Sequence, residues 1–230
     1  NKKSYNHFLY DYYRYKMMYF QVTENYSAMR DVGLFHLKLM KSNIGEKRFG
    51  YAHGCIHYAN ALSYLGEGKK AIKWYEKSIA IRKSLLKKSE YQILRIPHNN
   101  LVHDYMKLDP KNHKKILTHA KAALDLAIVT DIDHYIALKT YAKALYHTGD
   151  FQKSYNFYKK SFESLSSVDI DDKQEHLSDL RLDMALVFAD ININEAIPML
   201  KNALNNAYDP DLLYKNQVEL AKKILKNNKK

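Results

Sequence analysis

Two stretches of this sequence align residue for residue over a whole helical hairpin. Tyr58 to Gly66 followed by Lys70 to Ser78 corresponds to Tyr141 to Gly149 followed by Lys153 to Ser161. In each, a small residue lets the first helix approach the second, and a glycine (Gly66, Gly149) ends the first helix in the left-handed conformation that glycine adopts at little cost. A small residue follows five positions later (Ala71, Ser154), then an aromatic four further on (Tyr75, Tyr158), then another small residue three further on (Ser78, Ser161). Spacings of four and three place these on one helical face, which becomes the seam of the hairpin. Asp150 adds a capping side chain for the helix after Gly149.

The two glycines lie 83 residues apart. That interval holds two steps of about 41 residues, which predicts longer helices than the common repeat of about 34. A degenerate repeat fills the gap, with a helix from near Tyr91 to Leu108, a turn at Asp109 and Pro110, and a second helix whose Ile116, Ala120 and Ala123 copy the seam spacing. A further pair follows, with one helix near Lys173 to Ala189, a turn near Ile191, and a second carrying Ala196, Leu200 and Ala203. Pro198 is expected in the first turn of that last helix, where a missing N–H is tolerated. Upstream, Ser4 to Phe20 and Glu24 to Ser42 read as one more hairpin, with Ala28, Val32 and Phe35 at the seam. A last helix from Asp211, with Leu212, Val218, Leu220 and Ile224 to bury and lysines facing water, is expected to cap the stack.

This pattern resembles the tetratricopeptide repeat family, whose hairpins carry a small residue with Leu or Tyr in the first helix, a turn glycine, and then Ala, aromatic, Ala in the second. The family's Trp and Pro positions are replaced here, by Cys55 and Leu138 at the first and by Lys83 and Ser166 at the second, which marks a divergent member. The resemblance implies an all-α fold: a right-handed superhelical stack of about five hairpins plus a C-terminal capping helix. With no linker in sight, one domain over 1–230 is expected, with hairpins at about 1–45, 46–86, 87–129, 131–167 and 171–207 and the cap at 210–227.

Composition agrees with long helices. With 46% hydrophobic and 27% charged residues the chain is too apolar to stay disordered, and 7 Gly and 4 Pro are too few to reverse the chain as often as strand proteins require. No run of about 18 apolar residues is present to cross a bilayer. The chain begins at Asn1 and not at Met, as a processed or trimmed chain does, so its compartment is left open. A single cysteine, Cys55, excludes an internal disulfide. The net charge of +12 favours an anionic partner by long-range attraction, although the lysines are spread along almost every helix, as on a solvated surface.

Motifs for chemistry are sparse. His53 and His57 stand at i and i+4, but no Asp, Glu or second Cys completes a metal site, so no metal is expected. Cys55 sits at a packing position, where a thiol acts as a small apolar residue. Asp169, Asp171 and Asp172 read as helix-capping residues rather than a calcium loop. No nucleophile turn, paired-carboxylate motif, phosphate loop or dinucleotide fingerprint is present, so neither catalysis nor a cofactor is expected.

The informative residues lie on the outer face of the first helices: His53, His57, Asn60 and Tyr64 in the second hairpin, Lys139, Lys143 and Tyr146 in the fourth, and Arg181 in the fifth. In the resembled family this helix lines the concave surface, and members that grip a peptide carboxylate use Lys and Asn there. Asn60 and Lys143 match the clamp Asn position, while Ile56 replaces the clamp Lys. The resemblance therefore implies a binding module with a basic groove for an acidic or carboxylate-ended peptide. At the level of fold it is similar to the repeat regions of bacterial signalling and regulatory proteins. A basic helical solenoid that contacts nucleic-acid phosphates stays open as the alternative.

Overall fold

The computed structural model describes residues 2–129, 132–207 and 215–228, with the backbone alone for residues 2–7. Among these the chain forms eleven α-helices, one 3-10 segment and no strand. The helices are α1 (Lys2–Val22), α2 (Tyr26–Ile44), α3 (Phe49–Tyr64), α4 (Gly68–Leu85), α5 (Arg95–Leu108), α6 (His113–Asp125), α7 (Ile132–His147), α8 (Phe151–Ser166), α9 (Lys173–Ala189), α10 (Ile193–Asn205) and α11 (Lys215–Asn227). The fold is an all-α helical repeat solenoid, in which each helix packs chiefly on its neighbours in the chain.

Packing divides the chain into two compact units, Asn1–Leu126 and Ala127–Lys230. In the first, α1 to α6 pack in succession, and among the first helices of the hairpins α3 also meets both α1 and α5 directly. In the second, α7 to α10 pack in succession and α11 lies against α9 and α10.

The two aligned hairpins fold alike down to single hydrogen bonds. Gly66 and Gly149 take φ of 78° and 87°, and the next residue closes the turn in each, Glu67 N donating to Leu62 O at 2.8 Å and Asp150 N to Leu145 O at 2.9 Å. In the seam, Ser78 Oγ donates to Ala52 O at 2.7 Å and Ser161 Oγ to Tyr135 O at 2.8 Å. Tyr58 meets Trp74 edge-on at 5.2 Å, and Tyr141 meets Phe157 edge-on at 4.7 Å. Ala71, Tyr75, Ser154 and Tyr158 are buried as the spacing predicts, and so are Ile116, Ala120 and Ala123 in α6 and Ala196, Leu200 and Ala203 in α10. Asp150 accepts from Lys153 N, and Asn25, Asn112 and Asn192 cap α2, α6 and α10 in the same way.

Four local expectations are corrected. In α2 the seam is Met29, Gly33, Leu37 and Met40, while Phe35 is 54% exposed. Gly33 sets this register, because a Cβ there would stand 3.3 Å from the Tyr58 ring and 3.4 Å from Met17 Sδ. Residues Lys88–Leu94 form the 3-10 segment, and α5 begins only at Arg95, since Pro97 has no N–H to extend an α-helix further upstream. Pro198 is the sixth residue of α10, beyond the first turn, because Asn192 caps the helix earlier than expected. In α11, Ala221 is buried and Val218, Ile224 and Leu225 pack beside it, but Leu220 is exposed. Asp211 and Leu212, expected at the start of this helix, lie outside the described residues.

Candidate functional site

On α3, steps of four, three and four residues place His53, His57, Asn60 and Tyr64 along one side, and the first helices α1 and α5 flank it. His53 Nδ1 is hydrogen-bonded to the Tyr10 hydroxyl of α1 at 2.8 Å, and its ring meets His57 edge-on at 4.7 Å. Burial, reinforced by His57, Arg82 and Arg14, pushes His53 down to about 3. Burial pushes His57 down to about 4, and neither of its ring nitrogens has a hydrogen-bond partner. Both rings are therefore neutral at pH 7.

Asn60 Oδ1 accepts from the Tyr75 hydroxyl at 2.6 Å and from Asn100 Nδ2 of α5 at 2.8 Å. Two donors on one oxygen fix which way the amide points, and its Nδ2 group makes no hydrogen bond among the described residues. One turn on, Ser63 Oγ donates to Asp104 Oδ1 at 2.7 Å. Tyr64 is 52% exposed and stacks on Tyr26 at 4.4 Å. This side of the first unit is thus a row of rings and amides held from behind, with a free amide donor and an exposed tyrosine at its end.

The second unit departs from the expected positive surface. Lys139 Nζ lies 3.8 Å from both Asp179 and Asp183, and both carboxylates are buried. Burial pushes Lys143 down while Asp183 and Asp179 pull it back up, so both lysines face the same pair of acids. Gln217 of α11 donates to Asp183 as well, and the buried Tyr158 hydroxyl stands beside it. Tyr146 donates to Asp190 Oδ2 at 2.8 Å, and burial together with that carboxylate pushes its hydroxyl up to about 12.

Arg181 is on the other side of α9, since two residues rotate it about 200° from Asp179. There it lies over the Phe162 ring of α8 at 5.3 Å and lines a small cavity with Met184, Pro198, Met199 and Asn202. It does not join Lys139 and Lys143. The acids that neutralise those lysines come from a helix a full hairpin later, a pairing that no local spacing announces. Tyr10, Arg14 and Asn100, which border the α3 row, likewise carry no motif.

Among the described residues no group of three or more His, Cys, Asp or Glu is placed to hold a metal ion, and no helix is long and apolar enough to cross a membrane. Cys55 is fully buried, and burial pushes its thiol up to about 12, which leaves it unreactive at neutral pH.

No family model matches the chain, and no curated protein matches it by sequence. Solved structures do match by shape. The chain is similar to a kinesin light chain-like protein of Podosopora anserina with nearly identical TPR-like repeats, at 13% identity and a TM-score of 0.62, covering 96% of each chain. It is similar also to BtubC (BKLC) from P. vanneervenii, at 14% identity and a TM-score of 0.63, covering 89% of this chain and 93% of that one. Together with the hairpin grammar repeated 83 residues apart, these likenesses give the chain the fold of a divergent tetratricopeptide-like repeat protein.

Proposed function

We propose that the chain is a non-catalytic interaction module that holds a protein or peptide segment, and that the α3 row is the binding face of the first unit. The observation that carries this reading is the pairing of Asn60 and Tyr64. Asn60 is locked by two donors on its oxygen, so its amide N–H groups are fixed in orientation and make no hydrogen bond among the described residues. A fixed amide donor beside an exposed ring suits an extended backbone, whose carbonyls need donors and whose side chains need an apolar surface. The repeat fold of the solved neighbours supports an interaction role.

The preference is for an acidic or carboxylate-ended segment. The net charge of +12 and the basic side chains bordering His53 and His57 support it, whereas Lys139 and Lys143 do not, since both are balanced by buried acids. The interaction or sensor portion of a bacterial signalling or regulatory protein is the setting we propose for such a module.

The test is selection from a random peptide library, followed by binding measurements on Tyr64→Ala. Enrichment of Asp, Glu or a free C-terminus, with affinity lost in Tyr64→Ala and only a shallow salt dependence, is the expected result. Enrichment of no peptide, together with nucleic-acid binding that falls steeply with log salt, would replace this reading with phosphate binding by a basic solenoid.

A further inference from the structure

Five basic side chains from four helices lie within electrostatic reach of one another in the first unit: Arg14 of α1, His36 of α2, His53 and His57 of α3, and Arg82 of α4. His36 is fully buried, stacked on Tyr13 at 5.5 Å and pressed against Gly54, where a Cβ would come within 3.1 Å of its Nδ1. Both of its ring nitrogens lack a hydrogen-bond partner, as do both ring nitrogens of His57 and the Nε atoms of Arg14 and Arg82. Arg82 is 1% exposed, holds the Ile93 carbonyl at 2.9 Å, and has no carboxylate in ion-pair range among the described residues. Asp11 lies 3.6 Å from Arg14 Nε and is partly exposed to solvent. Tyr10 and the neutral Cys55 complete the surroundings.

Buried polar groups in folded proteins are nearly always hydrogen-bonded, so six buried nitrogens without a hydrogen bond in one small region call for an acceptor. Every one of these side chains can donate: a guanidinium always, an imidazole from whichever nitrogen carries the proton. A cation is excluded as the partner by Arg14 and Arg82. What all five can share is an acceptor that carries negative charge.

We propose that this cluster is a binding site for a single oxyanion, a carboxylate or a phosphoryl-type group, which enters between α1 and α3 beside Arg14, His53 and His57. Those three form the mouth, and Arg82 and His36 behind them supply positive field and further donors. An anion seated there favours imidazolium over imidazole, so binding takes up protons and tightens as the pH falls. Burial holds these histidines neutral when the site is empty, with His36 and His57 at about 4 and His53 at about 3. The site shares His53 and His57 with the α3 row, but its test is separate from the peptide reading, because a free anion can fill it whether or not a peptide binds.

Sulfate tests this, being an oxyanion whose charge does not change between pH 7.5 and pH 6. Titration calorimetry at constant ionic strength in chloride should show saturable one-to-one binding, about tenfold tighter at the lower pH. The ring signals of His53 and His57 should move with the same saturation. Acetate in a parallel arm separates the two sources: binding equal to sulfate assigns the site to a carboxylate, and sulfate binding alone assigns it to a phosphoryl-type group. His57→Leu removes two orphan nitrogens and should melt no lower than wild type while losing at least about tenfold in affinity. Should that variant fail to fold, Arg14→Gln, at a partly exposed position, carries the same expectation. Absence of saturable sulfate and acetate binding at both pH values, or affinity unchanged in Arg14→Gln, overturns the proposal.

Discussion

The Tyr75 hydroxyl, buried in the seam between α3 and α4, donates a 2.6 Å hydrogen bond to Asn60 Oδ1 on the α3 row. Seam and row are thereby coupled. Asn60→Ala should cost about 1–3 kcal/mol, because it strands a buried hydroxyl, whereas Tyr75→Phe removes that hydroxyl and should cost only about 0.5–1.5 kcal/mol. Urea denaturation of both variants checks the order, and an Asn60→Ala cost below that of Tyr75→Phe would contradict it.

Lys139 and Lys143 look from the sequence like exposed lysines whose removal leaves folding untouched. Facing buried Asp179 and Asp183, they are counter-charges. Changing both to Ala leaves two neighbouring carboxylates without them, and breaking buried pairs of this kind costs about 3–5 kcal/mol. The urea midpoint of the double variant should fall accordingly. A midpoint equal to wild type would mean that the acids are solvated.

Stability should fall on mild acidification, before any carboxylate of ordinary pKa titrates. His36 and His57 are held at about 4 and His53 at about 3 by burial, against an unfolded value near 6.5. The folded value is depressed, so the unfolded chain binds more protons between these limits. The contribution is complete above pH 6.5 and is lost as pH falls toward 4. By pH 5 the loss should be of the order of 1–2 kcal/mol per histidine. Urea titrations at pH 7 and pH 5 measure it, and His57→Leu should flatten the dependence. Equal stability at both pH values would contradict the burial of these rings.

Ala71 is fully buried at the seam, where small residues alternate with Tyr75. Ala71→Phe should destabilise by about 1–3 kcal/mol through overpacking, and an unchanged melting temperature would place Ala71 on the surface.

What could be read from the sequence follows the same divide. Short-range patterns carried over intact: the Gly66 and Gly149 turns, the Ala71 and Ser154 seams, and the Ile116 and Ala196 copies are each set by residues within one hairpin. Register failed in α2, where Ala28 and Val32 look like seam residues. The deciding partners, Tyr58 and Met17, come from other helices and act through the bare Cα of Gly33. The site was legible in part for the same reason. The α3 row follows from helical spacing, but the acids opposite Lys139 and the stacking of Arg181 on Phe162 arise only once α7, α8 and α9 are packed. The basic cluster draws single residues from four helices, and no linear pattern records that.

The reading of the α3 row as a binding face is tested most directly by locating the bound peptide. A photocrosslinking residue placed at Tyr64, on the row, should form a covalent adduct with a selected peptide, and the same residue at the exposed Lys73 of α4 should not. Adducts at position 64 alone are the result predicted here. Adducts at position 73, or equally at both, would contradict it.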